Sequence, residues 1–452
     1  MPSAAKSAVA PLYLLLCLLF GGSAQGIWQN AALQLIGLGI ILWAVIARSE
    51  KPLSQMACRL FILASVGIAF VALQCMPLPP SIWAHGAREP LASGYRLLGM
   101  PVPWLPISVT PYGSLSNLLC LIPPLAIFAA IVRLHAYRPS WLAAALLTGA
   151  VAGIALGALQ AMNAGTASQW YLYPRTNVGR AVGFFANASH MAILLVISAP
   201  FVAAIAAAGR GREIQYYSAL SALLFALGSL LVVGIALSGS LAGWLLSVPV
   251  VFASSLILLR RQSRGGPWLA LLAGVSIVAA IGVLATSSIG GQLISKNAAT
   301  SVQSRAEITT TTFRAIGDFM PWGSGLGSFA KVYHLYENPD AVTNEYVVHA
   351  HNDYAELLLE LGIAGAVLIA LFLIWWGHAV WKSWRRPDAS PFTHAASIAS
   401  AALLVHSFVE FPLRTAAMSA CFAMCIGLLA NGHRLPRKEA ADLRPARHIV
   451  IR

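Results

Sequence analysis

Long apolar segments alternate with short polar ones along almost the whole chain. Most of the apolar segments are close to 20 residues long, which is the length that an α-helix needs to cross the hydrocarbon core of a bilayer. They predict about twelve spans, which cover residues 9–25, 28–47, 60–76, 115–132, 141–162, 191–208, 217–237, 241–259, 268–286, 354–377, 395–411 and 416–430. The predicted fold is therefore all-α, a polytopic transmembrane helix bundle formed by a single integral membrane domain, 1–452.

The first of these spans has a second interpretation. Lys6, a short apolar core and the following "GGSAQG" also fit a cleaved signal peptide. Both interpretations of this segment stay open.

The positions of the charged residues are more informative about topology and partners than their number. Only 10% of the residues are charged, against about 25% in soluble domains, and the net charge of +14 could suggest a nucleic-acid partner. However, roughly two thirds of the Lys and Arg residues lie in segments that face the cytoplasm if the N-terminus is inside. We therefore predict both termini in the cytoplasm, no nucleic-acid partner, and a basic cytoplasmic tail, 431–452, lying on anionic lipid.

The cysteines do not suggest a cross-linked or metal-binding protein. All six lie in or beside apolar spans, where cysteine behaves as a small hydrophobic residue. No CxxC pair is present, and no DxD motif provides ligands for Mg²⁺. The sequence predicts no disulfide framework, no cofactor and no metal site.

Residues suited to chemistry lie in outer segments, above all in a large helical periplasmic loop between the ninth and tenth spans, 288–352. ATP and sugar nucleotides are cytoplasmic, so an outer site excludes reactions that they drive. The loop ends in "HAHNDYAELLLELG", where Asp353, Glu356 and Glu360 share one helix face at spacing i, i+3, i+7. Acids in a first turn suit the helix dipole, but Glu360 lies two turns into the span, where ionisable residues usually line a cavity or form pairs.

Two histidines precede this helix. His349 and His351 can each take a proton near pH 7 and are the candidate general bases. Asn352 completes the group as a residue predicted to line the site. A purely structural role for the cluster is the alternative.

A glycine-rich turn, "GSGLGSF", lies upstream and contains Gly323, Gly325 and Gly327. No GK[ST] follows, so the turn is not a Walker A loop. Its backbone amides, with those of a helix starting near Ser328, could meet an anion. A flexible turn between two helices is the other interpretation.

Outer arginines are candidates for holding a diphosphate, because a guanidinium forms bidentate hydrogen bonds and stays charged in a low dielectric. Arg305 and Arg314 would lie about 180° apart on one helix, so only one of them could face a given site. Snorkelling to lipid headgroups is an alternative for any of these arginines. In "HSFVEFPLR", Glu410 and Arg414 could pair across Pro412, as a structural pair or as a wall of the site.

Together these motifs resemble the O-antigen ligase and O-antigen polymerase superfamily of bacterial integral membrane glycosyltransferases. The resemblance is carried by Arg305, "GSGLGSF", "HNDYAELLLELGIAG", "GRAVGFFANASHMA" with Arg180, and "HSFVEFPLR". Two positions depart from the family pattern. Leu241 stands where the family often has Arg, and Ser189 stands where Asn is usual.

The resemblance implies a metal-independent, inverting glycosyl transfer at the periplasmic face of the bacterial inner membrane. The donor would be a glycan on undecaprenyl diphosphate. The acceptor would be a sugar hydroxyl, either on lipid A–core (ligase) or on another lipid-linked repeat (polymerase). Arg180 and Arg305 would neutralise the leaving diphosphate, and His351 or His349 would take the acceptor's proton.

Other classes remain open at this point. We favour a ligase over a polymerase of O-antigen or exopolysaccharide repeats, although both use the same donor chemistry. A lipid-linked sugar flippase or other transporter would place charges at the membrane midplane, often within internal repeats. A structural or assembly protein would not need the Arg, His and acid cluster.

Overall fold

The computed structural model describes residues 4–24, 27–48, 52–163, 168–209, 214–260, 305–339 and 346–432. These residues are mostly helical, and their only sheet pairs two short antiparallel strands, β1 (Pro77–Leu78) and β2 (Leu105–Pro106). The predicted all-α polytopic helix bundle is confirmed.

The helices follow the apolar pattern closely. In chain order they are α1 (Ala4–Phe20), α2 (Trp28–Ile46), α3 (Gln55–Gln74), α4 (Pro80–Trp83), α5 (Glu89–Leu97), α6 (Pro111–Leu119), α7 (Ile122–Val132), α8 (Pro139–Met162), α9 (Ala188–Gly209), α10 (Ile214–Ser238), α11 (Leu241–Leu259), α12 (305–319), α13 (Phe329–Tyr336), α14 (Asp353–Arg385), α15 (Pro391–His406) and α16 (Ala416–Asn431). Short 3₁₀ turns cover Gly86–Arg88, Ser168–Trp170 and Pro412–Arg414.

Within the described ranges, eight helical segments are long and apolar enough to cross a membrane. They include α6 and α7 taken together, which correspond to one predicted span but are separate helices on either side of Cys120 and Leu121. The shorter α1, α15 and α16 coincide with the first and the last two predicted spans. The predicted span 268–286 lies outside the described residues.

The core of the bundle forms around α9, the most buried of the spanning helices. It packs against α8, α10, α11 and α15. Small residues allow this approach: a Cβ at Gly153 of α8 would lie 3.0 Å from the Met191 side chain of α9. Close packing of small residues is how helices associate in lipid, where burial of apolar surface provides little driving force.

The longest helix, α14, is interrupted near its start. Gly362 adopts φ 59° and ψ −141°, outside the helical range, so the carbonyls one turn earlier lose their usual partners. The amides of Ser324 and Gly325 donate to the carbonyls of Leu359 and Glu360, each at 2.9 Å. The interruption thereby fixes the glycine-rich turn against α14 and sets the position of the polar residues around it.

Candidate active site

Asn352 begins α14 by capping it. Its side-chain oxygen accepts hydrogen bonds from the amides of Tyr354 and Ala355, both at 3.0 Å, as expected of a good N-cap residue. The preceding His351 has φ 50°, a left-handed conformation that His adopts more readily than most side chains but that is uncommon outside glycine. The chain therefore enters α14 from the preceding polar stretch through a sharp turn at His351.

The acidic residues of α14 converge on one arginine. Arg414 Nη2 lies 2.9 Å from Glu360 and 3.3 Å from Glu356, and its Nε lies 3.8 Å from Asp353. We call these four residues the Arg414 cluster; all three carboxylates are buried. Burial opposes the charged form of Arg414, but the three carboxylates outweigh it and raise its pKa above the ordinary value.

Further hydrogen bonds tie this cluster to the surrounding segments. Asp353 accepts from the Ser407 hydroxyl at 2.8 Å, Glu356 from the Ala350 amide at 2.9 Å, and Glu360 from the Gly327 amide at 2.8 Å. The Arg414 cluster thus joins α14, the glycine-rich turn and the end of α15. We interpret it as the structural half of the polar region.

A second group forms around Glu410. One carboxylate oxygen pairs with the Arg305 guanidinium, and the other lies 3.2 Å from His351 Nδ1 and 3.3 Å from the Asn187 amide nitrogen. Glu410 is 1% exposed, whereas His351 is 29% and Arg305 32% exposed. A buried carboxylate therefore holds two side chains that both reach accessible space.

The ionised state of Glu410 determines which ring nitrogen of His351 donates a hydrogen bond. Burial disfavours the ionised carboxylate, but the hydrogen bond and charge of His351 and the charge of Arg305 overcome this and lower the pKa of Glu410. An ionised carboxylate can only accept hydrogen bonds, so His351 donates through Nδ1. In the neutral imidazole, Nε2 is then left as a proton acceptor.

A similar pair lies beside it. His349 Nδ1 is 3.0 Å from Glu356 Oε1, and His349 is 19% exposed. The rings of His349 and His351 lie 4.3 Å and 5.1 Å from the ring of Phe411. Both histidines predicted as bases are therefore present at one site, each with a carboxylate partner.

Sequence reasoning missed two histidines at the site, as well as Asn187 and Phe411. His190 of α9 and His406 of α15 are buried beside Glu410, which acts on both electrostatically. The ring nitrogens of both have no hydrogen-bond partner among the described residues, and the His190 ring lies 5.1 Å from Phe411. His190 lies in "GRAVGFFANASHMA" and His406 begins "HSFVEFPLR", so both stand in motifs that carry the resemblance, and this position was the available signal.

The arginines predicted as site residues differ in the ion pairs that they form. Arg314 is exposed on α12, and neither it nor Arg180 forms an ion pair with another described residue. Of the two α12 arginines, Arg305 pairs with Glu410, whereas Arg314 makes no such contact. The expected pairing of Glu410 with Arg414 is not found, because each of them pairs with other residues.

The glycine-rich turn binds a carboxylate of the protein itself, the side chain of Glu360. Gly323, Gly325 and Gly327 all have positive φ. The amides of Gly323, Ser324 and Gly325 donate to backbone carbonyls, while that of Gly327 donates to the Glu360 carboxylate. These four amides are already used within the protein, which favours a structural role for the turn. The helix predicted to start near Ser328 is α13.

The two departures from the family pattern lie side by side. The hydroxyl of Ser189, at the start of α9, lies 3.2 Å from that of Ser240, the N-cap of α11. Leu241 follows immediately and is 37% exposed. Both departures therefore fall in the same small region, where two neighbouring helices begin.

Comparison with known proteins supports the resemblance. Residues 226–370 match the family described as O-antigen ligase, a range that includes Arg305, the glycine-rich turn and both candidate bases. Arg180, Glu410 and Arg414 lie outside it. No significant match to a curated protein was found.

Proposed function

We propose that this multi-pass bacterial membrane protein, a member of the O-antigen ligase/polymerase family, transfers a glycan from undecaprenyl diphosphate to a sugar hydroxyl. We place the reaction at the periplasmic face of the inner membrane and assign it to the ligase type, with lipid A–core as acceptor. The loop 288–352 would face the periplasm, and the tail 431–452 the cytoplasm.

The observation that carries the proposal is the position of Glu410 between Arg305 and His351. Arg305 carries a permanent charge suited to a diphosphate, and His351 presents a free proton acceptor. Because both contact the same carboxylate, an anion-binding group and a base lie within a few ångströms of each other. A glycosyl transfer from a diphosphate needs this combination, whereas neither lipid flipping nor assembly needs a base.

The reaction proceeds by displacement at the anomeric carbon. His351 Nε2 takes the proton of the acceptor hydroxyl as its oxygen attacks the anomeric carbon from the face opposite the diphosphate. The bond between that carbon and the phosphate oxygen breaks, and undecaprenyl diphosphate leaves with the electron pair. Attack from the opposite face inverts the anomeric configuration.

Arg305 stabilises the leaving group by its charge. We propose Arg180 as a second diphosphate ligand, and Arg314 only as a peripheral one, because it is exposed on the other face of α12. The glycine-rich turn and the Arg414 cluster hold the wall of the site in place. In this mechanism arginine supplies the positive charge, so the reaction is independent of a metal ion.

An apolar groove beside the site supports the proposal that the substrate is lipid-linked. It has a volume of about 450 Å³, lies between α3, α7 and α14, and reaches Asp353 of the Arg414 cluster and the adjacent Ser407. A prenyl chain attached to a diphosphate needs an apolar surface that leads up to a polar site. The groove provides such a surface.

A deletion strain tests the proposal and separates the ligase from the polymerase. Loss of a ligase leaves lipid A–core bare while lipid-linked polymer of normal length accumulates. Loss of a polymerase leaves single repeats instead. Complementation with His351→Ala should fail to restore the wild-type pattern. Full complementation by this variant would favour a transporter, because flipping a lipid does not require a base.

A further inference from the structure

A polar cavity lies at the end of the bundle away from the candidate active site. It encloses about 350 Å³ between the first turn of α3, the last turns of α14 and α16, and the start of α15. Lys382, which lines it, is roughly 30 Å along α14 from Glu360 at 1.5 Å per residue. The distribution of basic residues predicts that this end faces the cytoplasm.

The lining of the cavity is strongly basic. Arg59, Lys382 and Arg386 come from two different helices and their ends, and His378 and a single carboxylate, Asp388, also contribute. No ion pair joins any of the three permanent cations to another described residue. The positive-inside rule explains why basic residues occur on this side, but not why they surround one cavity.

A buried polar group also lines this cavity. Thr393 is 1% exposed, and its hydroxyl oxygen has no hydrogen-bond partner within the described ranges. A buried hydroxyl without a partner is unfavourable unless a bound group completes its hydrogen bond. The cavity therefore combines excess positive charge with an unfilled donor, which is the chemistry that a phosphate group satisfies.

The helices around the cavity are held in place without a ligand. The Ser54 hydroxyl donates to the Ala430 carbonyl at 2.8 Å and joins α3 to α16. The Trp375 indole donates to the Met56 carbonyl at 3.0 Å and joins α14 to α3. A ligand would thus enter a formed site rather than have to assemble one.

We propose that this cavity binds the phosphate headgroup of an anionic phospholipid. Basic pockets between transmembrane helices on the cytoplasmic side are typical sites for such headgroups. A lipid is favoured over a free anion because the cavity lies at the end of a membrane-spanning bundle, where a headgroup is present with its acyl chains in the bilayer. This site is independent of the glycosyl-transfer proposal.

Thermal unfolding of the full-length protein in detergent tests the proposal. We expect dihexanoylphosphatidylglycerol to raise the unfolding temperature saturably and dihexanoylphosphatidylcholine to have little effect. The double variant Lys382→Gln/Arg386→Gln should bind the anionic lipid more weakly, by about fivefold for each charge removed. Arg385→Gln is the matched control, because Arg385 is exposed at the same helix end, contacts Trp381 and does not line the cavity.

Thr393→Val provides an independent variant. It should raise the unfolding temperature of the lipid-free protein, because it removes an unsatisfied buried hydroxyl, and yet reduce the further rise caused by the anionic lipid. A general loss of structure would instead lower the unfolding temperature of the lipid-free protein.

Two results would overturn the proposal. If Arg385→Gln weakens binding as much as the double variant does, diffuse surface charge accounts for the effect and the cavity has no special role. If inorganic phosphate alone reproduces the saturable shift at the same concentration, the site binds a free anion rather than a lipid.

Discussion

His351 and Glu410 lie 59 positions apart in the chain but only 3.2 Å apart at the site. The pair places a solvent-reaching imidazole on a buried carboxylate whose pKa is lowered. A carboxylate in this position fixes the tautomer and orientation of the imidazole and stabilises it once it is protonated, as in hydrolase triads. The catalytic proposal rests on this relationship.

The first prediction concerns His351. His351→Ala should lower transfer by about 10²–10⁴-fold, the range of general-base assistance. Binding of the lipid-linked donor should stay close to wild type, and the unfolding temperature should fall only slightly, because Arg305 still pairs with the buried Glu410 carboxylate. Single-turnover transfer to a labelled acceptor by the purified protein measures the effect.

His349→Ala is the matched control for this variant. His349 also pairs with a buried carboxylate and also contacts Phe411. If His349→Ala abolishes transfer while His351→Ala does not, the base lies two residues earlier. If neither variant loses activity, the two histidines are structural and the mechanism is wrong.

The second prediction concerns how the contribution of Glu410 to the stability of the protein depends on pH. Its pKa is lowered in the folded protein, so its contribution to stability is present above the unfolded pKa and is lost as the pH falls towards the folded pKa. The wild type should therefore be more stable than Glu410→Gln by a constant amount at neutral pH. This difference should shrink below about pH 4, near the ordinary Glu value. Unfolding temperatures measured from neutral to acid pH check this, and a difference that stays constant throughout would contradict it.

The sequence predicts the fold well because membrane spans depend on apolar length. Each predicted span that falls within the described part of the chain coincides with a helix, or in one instance with two. It does not predict where apolar helices break. The interruption at Gly362 depends on contacts with the glycine-rich turn, and a run such as "ELGIAGAVL" contains no sign of it.

For the site, helical spacing places Asp353, Glu356 and Glu360 together but does not identify their partner. Sequence proximity suggests that Glu410 pairs with Arg414, yet Arg414 belongs to the 3₁₀ turn Pro412–Arg414, and the two side chains pair with other residues. Arg414 extends to α14, while Glu410 meets Arg305 and His351. Such choices depend on how distant helices pack, and no single-sequence pattern encodes them.

The third prediction separates the two arginines of α12. Arg305→Lys should weaken donor binding and lower transfer, because a point charge cannot replace the planar fork of a guanidinium. Arg314→Lys should have a much smaller effect, since Arg314 is exposed and makes no ion pair with the described residues. Apparent affinity for the lipid-linked donor, measured alongside the maximal rate, distinguishes the two. Equal losses would extend the diphosphate site across both faces of α12.

The fourth prediction concerns metal ions. Among the described residues, no group of three or more His, Cys, Asp or Glu side chains is arranged to hold a metal. We expect the purified protein to keep its transfer activity in EDTA, because Arg305 supplies the charge on the leaving diphosphate. Loss of turnover in EDTA that Mg²⁺ or Mn²⁺ restores would disprove stabilisation by arginine alone.

The last prediction treats the Arg414 cluster as structural. Arg414→Gln leaves three buried carboxylates without their cation, and removing one partner of a buried ion pair costs about 3–5 kcal/mol of stability. We expect a large fall in unfolding temperature, in contrast to His351→Ala. Adding Glu360→Gln should recover part of the loss, because Glu360 is fully buried and lies 2.9 Å from the guanidinium, so its charge becomes unfavourable once Arg414 is gone. Unfolding of the two single variants and the double variant measures this coupling. If Arg414→Gln unfolds like the wild type but no longer binds donor, Arg414 belongs to the diphosphate site instead.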